Sequence, residues 1–222
     1  MISYKIYFIR HGLTEGNSEG KYIGSTDIAL SPDGERELKE FKENFEYPEV
    51  QKVYSSPMKR CLDTAQILYP DKMLSVVNNL REYDFGSFEG KTISELKDAP
   101  DFKRWIESGM KLVPKGAEDM AEFQKRCEEG FNEIVEDMMK NKITKVAVIV
   151  HGGVIMNLLA SHGYPKREPF YWMTQNGHGY TALLNTQLWQ RDKVFEVFDP
   201  IPYKDELSEV PDYGVFNIEE RE

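Results

Sequence analysis

VAVIVHGG, residues 146–153, is the stretch that decides the fold. Its first five residues are apolar without a polar break, and four of them are β-branched, so both faces of the segment are buried. That is the pattern of a central strand in a parallel sheet, and Gly152-Gly153 then turn the chain into a helix reaching residue 161. Working outward, residues 2–9 form a second β-branched and aromatic run with one charge, Lys5, read as another buried strand. A long glycine-rich loop follows over 12–24. Ser31-Pro32-Asp33 opens a helix to about residue 45, with a capping serine and a proline at the first helical position. Residues 52–54 read as a short strand, Ser55-Ser56-Pro57 as the cap of a helix over 58–68, and 74–77 as a further strand. Loop and short helices, one near 101–108, occupy 78–114. A long amphipathic helix spans 118–140, with Phe123, Cys127, Phe131, Ile134 and Met138 at spacings of three and four. Late strands fall at 180–185 and 194–198. Strands alternating with helices predict the α/β class: a three-layer α/β/α sandwich with a mostly parallel central sheet. The expected organisation is one domain over 1–199 and an acidic, proline-punctuated tail over 200–222, read as lying on the surface.

The composition bounds the partners. With 28 Lys and Arg against 38 Asp and Glu, the net charge of −10 argues against nucleic acid or an anionic membrane, both of which need a basic face. A local arginine cluster can still receive a small anionic substrate. Cys61 and Cys127, each within a predicted helix, are read as buried free thiols rather than a disulfide or metal site. The N-terminal apolar run is too short for a signal peptide and is interrupted by Lys5 and Arg10, and no stretch reaches transmembrane length, so the expected location is the cytoplasm.

Four clusters lie at strand ends or helix starts, where open α/β sheets place their ligands. Arg10-His11-Gly12 follows the first strand and offers an imidazole, a nearby cation and a backbone open to close approach; a lone histidine there is more often structural. Lys59 and Arg60 sit in the first turn of a helix, where the macrodipole disfavours cations by roughly 0.3–1 kcal/mol each. A phosphate bound there accounts for Arg60 better than surface tolerance does. Glu82, among Tyr83 and Phe85, is placed for the raised pKa a general acid requires. His151, at the end of the strongest strand, faces the ligand side, and Gly152 and Gly153 admit a phosphate oxygen to backbone N–H groups.

In this order the clusters resemble the histidine phosphatase superfamily, in its branch of phosphoglycerate mutases and cobalamin-pathway (α-ribazole phosphatase-like) enzymes. Arg10, His11, Gly12 and Thr14 match its R-H-G-x-T signature. Asn17, Gly24, Asp27, Leu30 and Gly34 match the run that follows. Ser55, Ser56, Pro57, Arg60, Thr64 and Ala65 match S-S-P-x-x-R-x-x-x-T-A. Glu82, Phe85, Gly86, Glu89 and Gly90 match R-E-x-x-F-G-x-x-E-G, and His151-Gly152-Gly153 matches the second histidine. The likeness covers residues 4–185. It implies a phosphoglycerate mutase-like fold and a phosphatase using no metal and no cofactor. His11 is then the nucleophile, Arg10, Arg60 and His151 surround the phosphate, Asn17 adds a hydrogen bond, and Glu82 is the acid and then the base.

Gly24 and Gly152 fall in the implied substrate loops, Tyr22 in a candidate apolar wall with Tyr83 and Phe88, and His178 in a loop that lines the pocket mouth in similar enzymes. Leu13, Lys21, Ala117 and Asp119 depart from the common pattern and bear on substrate choice. The implied partner is a small phosphorylated metabolite, with α-ribazole 5′-phosphate or a sugar phosphate as candidates, and a homodimer is one open assembly. Two other readings stay open: a phosphoglycerate mutase, disfavoured by the short segment between Glu82 and the turn at 114–119, and a phosphate-binding or docking module without turnover.

Overall fold

A computed structural model describes residues 3–109 and 112–203. The first half of the chain contains β1 (Ser3–Arg10), α1 (Glu15–Ser18), α2 (Pro32–Asn44), β2 (Lys52–Ser55), α3 (Lys59–Leu68) and β3 (Leu74–Val76). Then come the short helices α4 (Ile93–Leu96) and α5 (Pro100–Glu107), the long α6 (Met120–Asn141), β4 (Lys145–Val150) and α7 (Gly152–His162). The chain continues through β5 (Gly163–Tyr164), β6 (Gly179–Asn185), α8 (Thr186–Asp192) and β7 (Phe195–Ile201).

The strands form one sheet in the order β3-β2-β4-β1-β6-β7-β5. β1 pairs in parallel with β4, and β4 with β2, whereas β6 runs antiparallel to both β1 and β7. The sheet is therefore mostly parallel, as the alternation of elements predicts. Side chains alternate across it with the period of two that a strand imposes. Tyr4, Ile6 and Phe8 of β1, with Val146, Val148 and Val150 of β4, pack under α6, α7 and Trp189 of α8. Tyr7, Ile9, Ala147 and Ile149 point the other way, onto Leu38 of α2 and Cys61, Ala65 and Leu68 of α3. These are the three layers. A smaller aromatic cluster of Phe88, Leu96, Phe102 and Trp105 sits under α4 and α5.

Predicted and observed boundaries agree within a few residues, and the differences have local causes. Ser31 caps α2 as expected, its hydroxyl accepting from Gly34 N–H. At α3 the Ser55-Ser56-Pro57 expectation is met only in part: Ser56 Oγ accepts from Met58 N–H at 3.4 Å, one residue before the helix begins. Its N-cap position is Met58, and the Asp27 carboxylate accepts from Lys59 N–H at 2.7 Å. α6 is capped by Asp119, whose carboxylate accepts from Ala121 and Glu122 N–H. β5 and α8 were not anticipated from the sequence. β5 is only two residues long, and α8 buries Trp189 alone, too little for a periodic pattern. The last strand continues to Ile201 and Tyr203 bridges to Glu46, so the 199/200 boundary falls within β7; residues 204–222 of the expected tail lie outside the described residues.

Both cysteines are free and buried. No described helix is long and apolar enough to cross a membrane. Phe131 of α6, fully buried, meets the rings of Phe8, Phe195 and Trp189 at centroid distances of 5.3–5.6 Å. Phe131→Ala is expected to lower stability by about 3–5 kcal/mol. Urea unfolding with an unchanged denaturant slope would show it, and a loss under 1 kcal/mol would mean that the layer is not packed around this ring.

Candidate functional site

β1, β4 and α3 bring their ends together at the carboxyl edge of the sheet, and the four sequence clusters meet there. His11 N–H donates to Val150 O at 2.9 Å, which ties the turn after β1 to the end of β4. The imidazoles of His11 and His151 lie edge to face, 5.2 Å apart, and both residues are buried. His11 Nδ1 lies 2.7 Å from Gly12 O. A carbonyl only accepts, so Nδ1 carries the hydrogen and Nε2 keeps its lone pair. Gly12 N–H donates to Thr64 Oγ1, which in turn donates to Arg60 O, so α3 sets the geometry of the turn that carries His11.

Arg60 is fully buried. Nη2 donates to Gly24 O and Nη1 to Thr26 O, each at 2.8 Å, and Nε donates to His151 Nδ1 at 3.3 Å. With Nδ1 accepting, the hydrogen of His151 is on Nε2, 2.8 Å from Ser56 Oγ. Arg10 donates from Nη1 to Thr174 O at 2.6 Å, while its buried Nε has no hydrogen-bond partner among the described residues. The Glu82 carboxylate accepts from Tyr83 N–H and Gly153 N–H, each at 2.9 Å. A Cβ on Gly153 would come within 2.4 Å of Glu82 Oε1, so a side chain there would displace the carboxylate from this position.

These groups share one electrostatic environment. Burial, reinforced by Arg60 and Arg10, holds His11 well below the ordinary histidine value. Burial and Arg60 do the same to His151, helped by His11 and Arg10. Burial pushes the Glu82 carboxyl up, against the pull of its two backbone hydrogen bonds and the two arginines. Burial also lowers Arg10, with Glu82 opposing. The result is neutral imidazoles and a carboxyl biased towards its acid form beside two guanidinium groups. Among the described residues no group of three or more His, Cys, Asp or Glu side chains is placed to hold a metal ion.

The remaining sequence candidates are distributed around this centre. Asn17 Oδ1 closes the capping box of α1 with Thr14 and accepts from Asn176 Nδ2. Gly24 has both backbone groups engaged, N–H to Glu89 and C=O to Arg60, and a Cβ would lie 1.7 Å from Tyr83 O. Gly152 packs against Arg10 at ordinary contact distance. Tyr22 joins Phe85, Phe102 and Trp105 in the smaller aromatic cluster, whereas Tyr83 and Phe88 are buried in packing roles. His178 stacks edge to face on Phe41 at 5.0 Å, and its carbonyl accepts from Arg10 N–H. His162 lies away from this centre, buried among Phe131, Trp189 and Phe195, with Nδ1 on Lys193 O.

Two contributors have roles that sequence reasoning did not assign. Asn176 Nδ2 donates to His11 O at 2.9 Å and also reaches Gly12 O, clamping the turn from the far end of the chain. Glu89 accepts from Gly24, Ser25 and Thr26 N–H and from the Thr26 hydroxyl, ordering the loop that answers Arg60. A carboxylate within a Phe-Gly-x-x-Glu-Gly run was the available signal for Glu89; Asn176 had none.

Comparison with known proteins gives the family and the fold. The model of the histidine phosphatase superfamily (branch 1) matches residues 6–194. Phosphoserine phosphatase 1 of Hydrogenobacter thermophilus is 31% identical over 159 residues, covering 70% of this chain and 74% of that protein. Adenosylcobalamin/alpha-ribazole phosphatase of Escherichia coli is 25% identical over 178 residues, 78% of this chain and 86% of that one. Among solved structures, a putative alpha-ribazole-5′-P phosphatase from Escherichia coli aligns with a TM-score of 0.75 at 20% identity, covering 93% of this chain and 98% of that one. A phosphoglycerate mutase from Bacillus anthracis aligns at 0.72 with 21% identity, covering 89% and 92%. These structural likenesses establish the phosphoglycerate mutase-like fold.

The electrostatics lead to a direct expectation. In an NMR pH titration, the rings of His11 and His151 should remain neutral at pH 6.5 and protonate only at more acid pH. Midpoints at or above 6.5 for either ring would show that burial and the arginines do not govern them.

Proposed function

The chain belongs to the histidine phosphatase superfamily, and on that premise we propose that it is a metal-independent phosphomonoester hydrolase that carries the phosphoryl group on His11. The observation that supports this most directly is the convergence of two neutral imidazoles, a carboxyl with a raised pKa and two guanidinium groups, one with an unpaired buried Nε.

In this reading the His11 Nε2 lone pair attacks phosphorus as the ester P–O bond breaks. The departing alkoxide takes a proton from Glu82. Glu82, now a carboxylate, accepts a proton from a water whose oxygen attacks the phosphohistidine, and the N–P bond electrons return to His11. One carboxyl serves both steps because leaving group and water occupy the same side. Arg10 and Arg60 neutralise charge on the equatorial oxygens, which is most of what a loose phosphoryl-transfer transition state requires of a protein. Asn17, placed by its capping box, adds a hydrogen bond. His151 donates from Nε2 when a phosphate oxygen replaces the Ser56 hydroxyl as its acceptor.

The substrate is a small phosphorylated metabolite. The names of similar proteins, phosphoserine phosphatase and alpha-ribazole phosphatase, support phosphoserine and α-ribazole 5′-phosphate as first candidates, with sugar phosphates beside them.

The test is phosphate release from these esters, 3-phosphoglycerate and an aryl phosphate, with EDTA present. Native activity should survive EDTA, and His11→Ala should lower it by about 10³-fold or more. Isomerisation of phosphoglycerate without phosphate release would mean a mutase, and phosphate binding with no turnover on any substrate would mean a binding module.

A pH profile provides a second check. The acid limb of kcat/KM should fall below 6.5, where His11 protonates, and the basic limb above 4.5, where Glu82 ionises. Glu82→Gln should remove the basic limb, and its persistence would exclude Glu82 as the acid.

A further inference from the structure

Arg126 of α6 takes no part in the phosphate site proposed above, yet its guanidinium is engaged with the segment that carries Glu82. Nη1 donates to Asn79 O at 2.9 Å and to Arg81 O at 2.6 Å, and Nη2 donates to Glu82 O at 2.9 Å. The remaining donors go to one carboxylate: Nε to Glu118 Oε1 at 2.6 Å and Nη2 to Glu118 Oε2 at 2.7 Å. All five N–H groups of the guanidinium are thus placed, three on backbone carbonyls and two on Glu118. The pair is largely buried, with side chains 14% and 17% exposed. Glu118 N–H also donates to Asp84 O, so the same pair grips the segment on both sides of Glu82 and Tyr83. A Cβ on Gly86 would come within 2.2 Å of Ala117 N, so the turn before Glu118 is seated against this segment as well.

We propose that Arg126 and Glu118 are positioning residues for the proposed acid: they set the backbone from which the Glu82 carboxyl reaches Gly153 N–H and the leaving group. The inference rests on the phosphatase reading and assigns this pair a task within it. A planar fork with five directed donors does this; a lysine, with one ammonium and no fork, keeps the charge and loses the registration. Arg126 also lies close enough to Glu82 to feel its charge, which adds to the geometric coupling.

The test separates proton delivery from general folding. Arg126→Lys and Glu118→Gln are each compared with the native chain on glycerol 2-phosphate, whose alkoxide needs a proton to leave, and on p-nitrophenyl phosphate, whose phenolate leaves without one. A misplacement of the acid by about 1 Å should lower kcat/KM, which reports the steps up to leaving-group departure, by about 10²-fold on the alkyl ester. On the aryl ester kcat/KM should fall no more than about threefold, because its phenolate departs with little acid assistance, whereas kcat on both esters also contains the shared water step in which Glu82 is the base. In a Glu82→Gln background, Arg126→Lys should add nothing further on the alkyl ester.

Equal losses on both esters, additive losses in the Glu82→Gln background, or failure of both variants to fold would overturn the proposal and leave the pair a structural clamp. Thermal unfolding of each variant decides the last case, and Glu118→Gln, which retains one acceptor for Arg126, is the milder probe. If the native chain hydrolyses neither these esters nor any of the candidate substrates above, the phosphatase reading fails and this inference fails with it; where one of those alkyl esters is the better substrate, it takes the place of glycerol 2-phosphate. If the native chain is active and the two esters respond alike, only this inference fails.

Discussion

The complete burial of Arg60 is the constraint around which the site is arranged. A guanidinium out of contact with water is tolerated only if its donors find protein acceptors, since an uncompensated buried charge costs several kcal/mol. Here the acceptors are Gly24 O, Thr26 O and His151 Nδ1. Glu89 fixes the loop that supplies the first two by accepting from three successive backbone N–H groups and the Thr26 hydroxyl. Asp27 then caps α3 at Lys59, immediately before Arg60. One buried charge thereby couples the loop after β1, the start of α3, the Phe85–Glu89 turn and the end of β4. Gly24 follows from the same closeness, because a Cβ there would overlap Tyr83 O.

The electrostatic character of the site follows from that packing. Two cations beside a buried imidazole favour its neutral form, and burial favours the neutral form of a carboxyl. His11 and His151 are therefore lowered while Glu82 is raised. Titratable groups driven apart by their surroundings are what the proposed nucleophile and acid require of one pocket. The turn after β1 adds orientation: Gly12 O holds Nδ1, and Asn176, Gly177 and Thr64 hold the backbone on which the ring is mounted.

Much of this was legible in the chain itself. The unbroken run at 146–150 marked β4, and the three-and-four spacing from Phe123 to Met138 marked α6, because burial on one face imposes the period of the element. Arg60 stood out as a cation in the first turn of a helix, where the dipole opposes it. The details that escaped are those whose partners are far away in sequence. Asn176 and His11 are 165 residues apart, Gly24 and Glu89 are 65, and Gly12 and Thr64 are 52. No local pattern announces such a pair. The start of α3 differs for the same reason: the nearby Ser56 reaches only Met58 N–H, and the distant Asp27 takes the N–H of Lys59.

The sequence by itself determined the α/β class, the alternation of elements, the family resemblance and the set of residues at the carboxyl edge of the sheet. Those follow from side-chain periodicity and from residue types at fixed spacing, both of which are properties of the linear chain. The tertiary structure alone decided which ring nitrogen of His11 is free, in which direction each titratable group is shifted, which carbonyls satisfy Arg60, and how Arg126 grips the strand of backbone behind Glu82. Proton affinity and donor satisfaction depend on the distance and burial of neighbours, and those neighbours meet only when the sheet and its two helical layers are assembled.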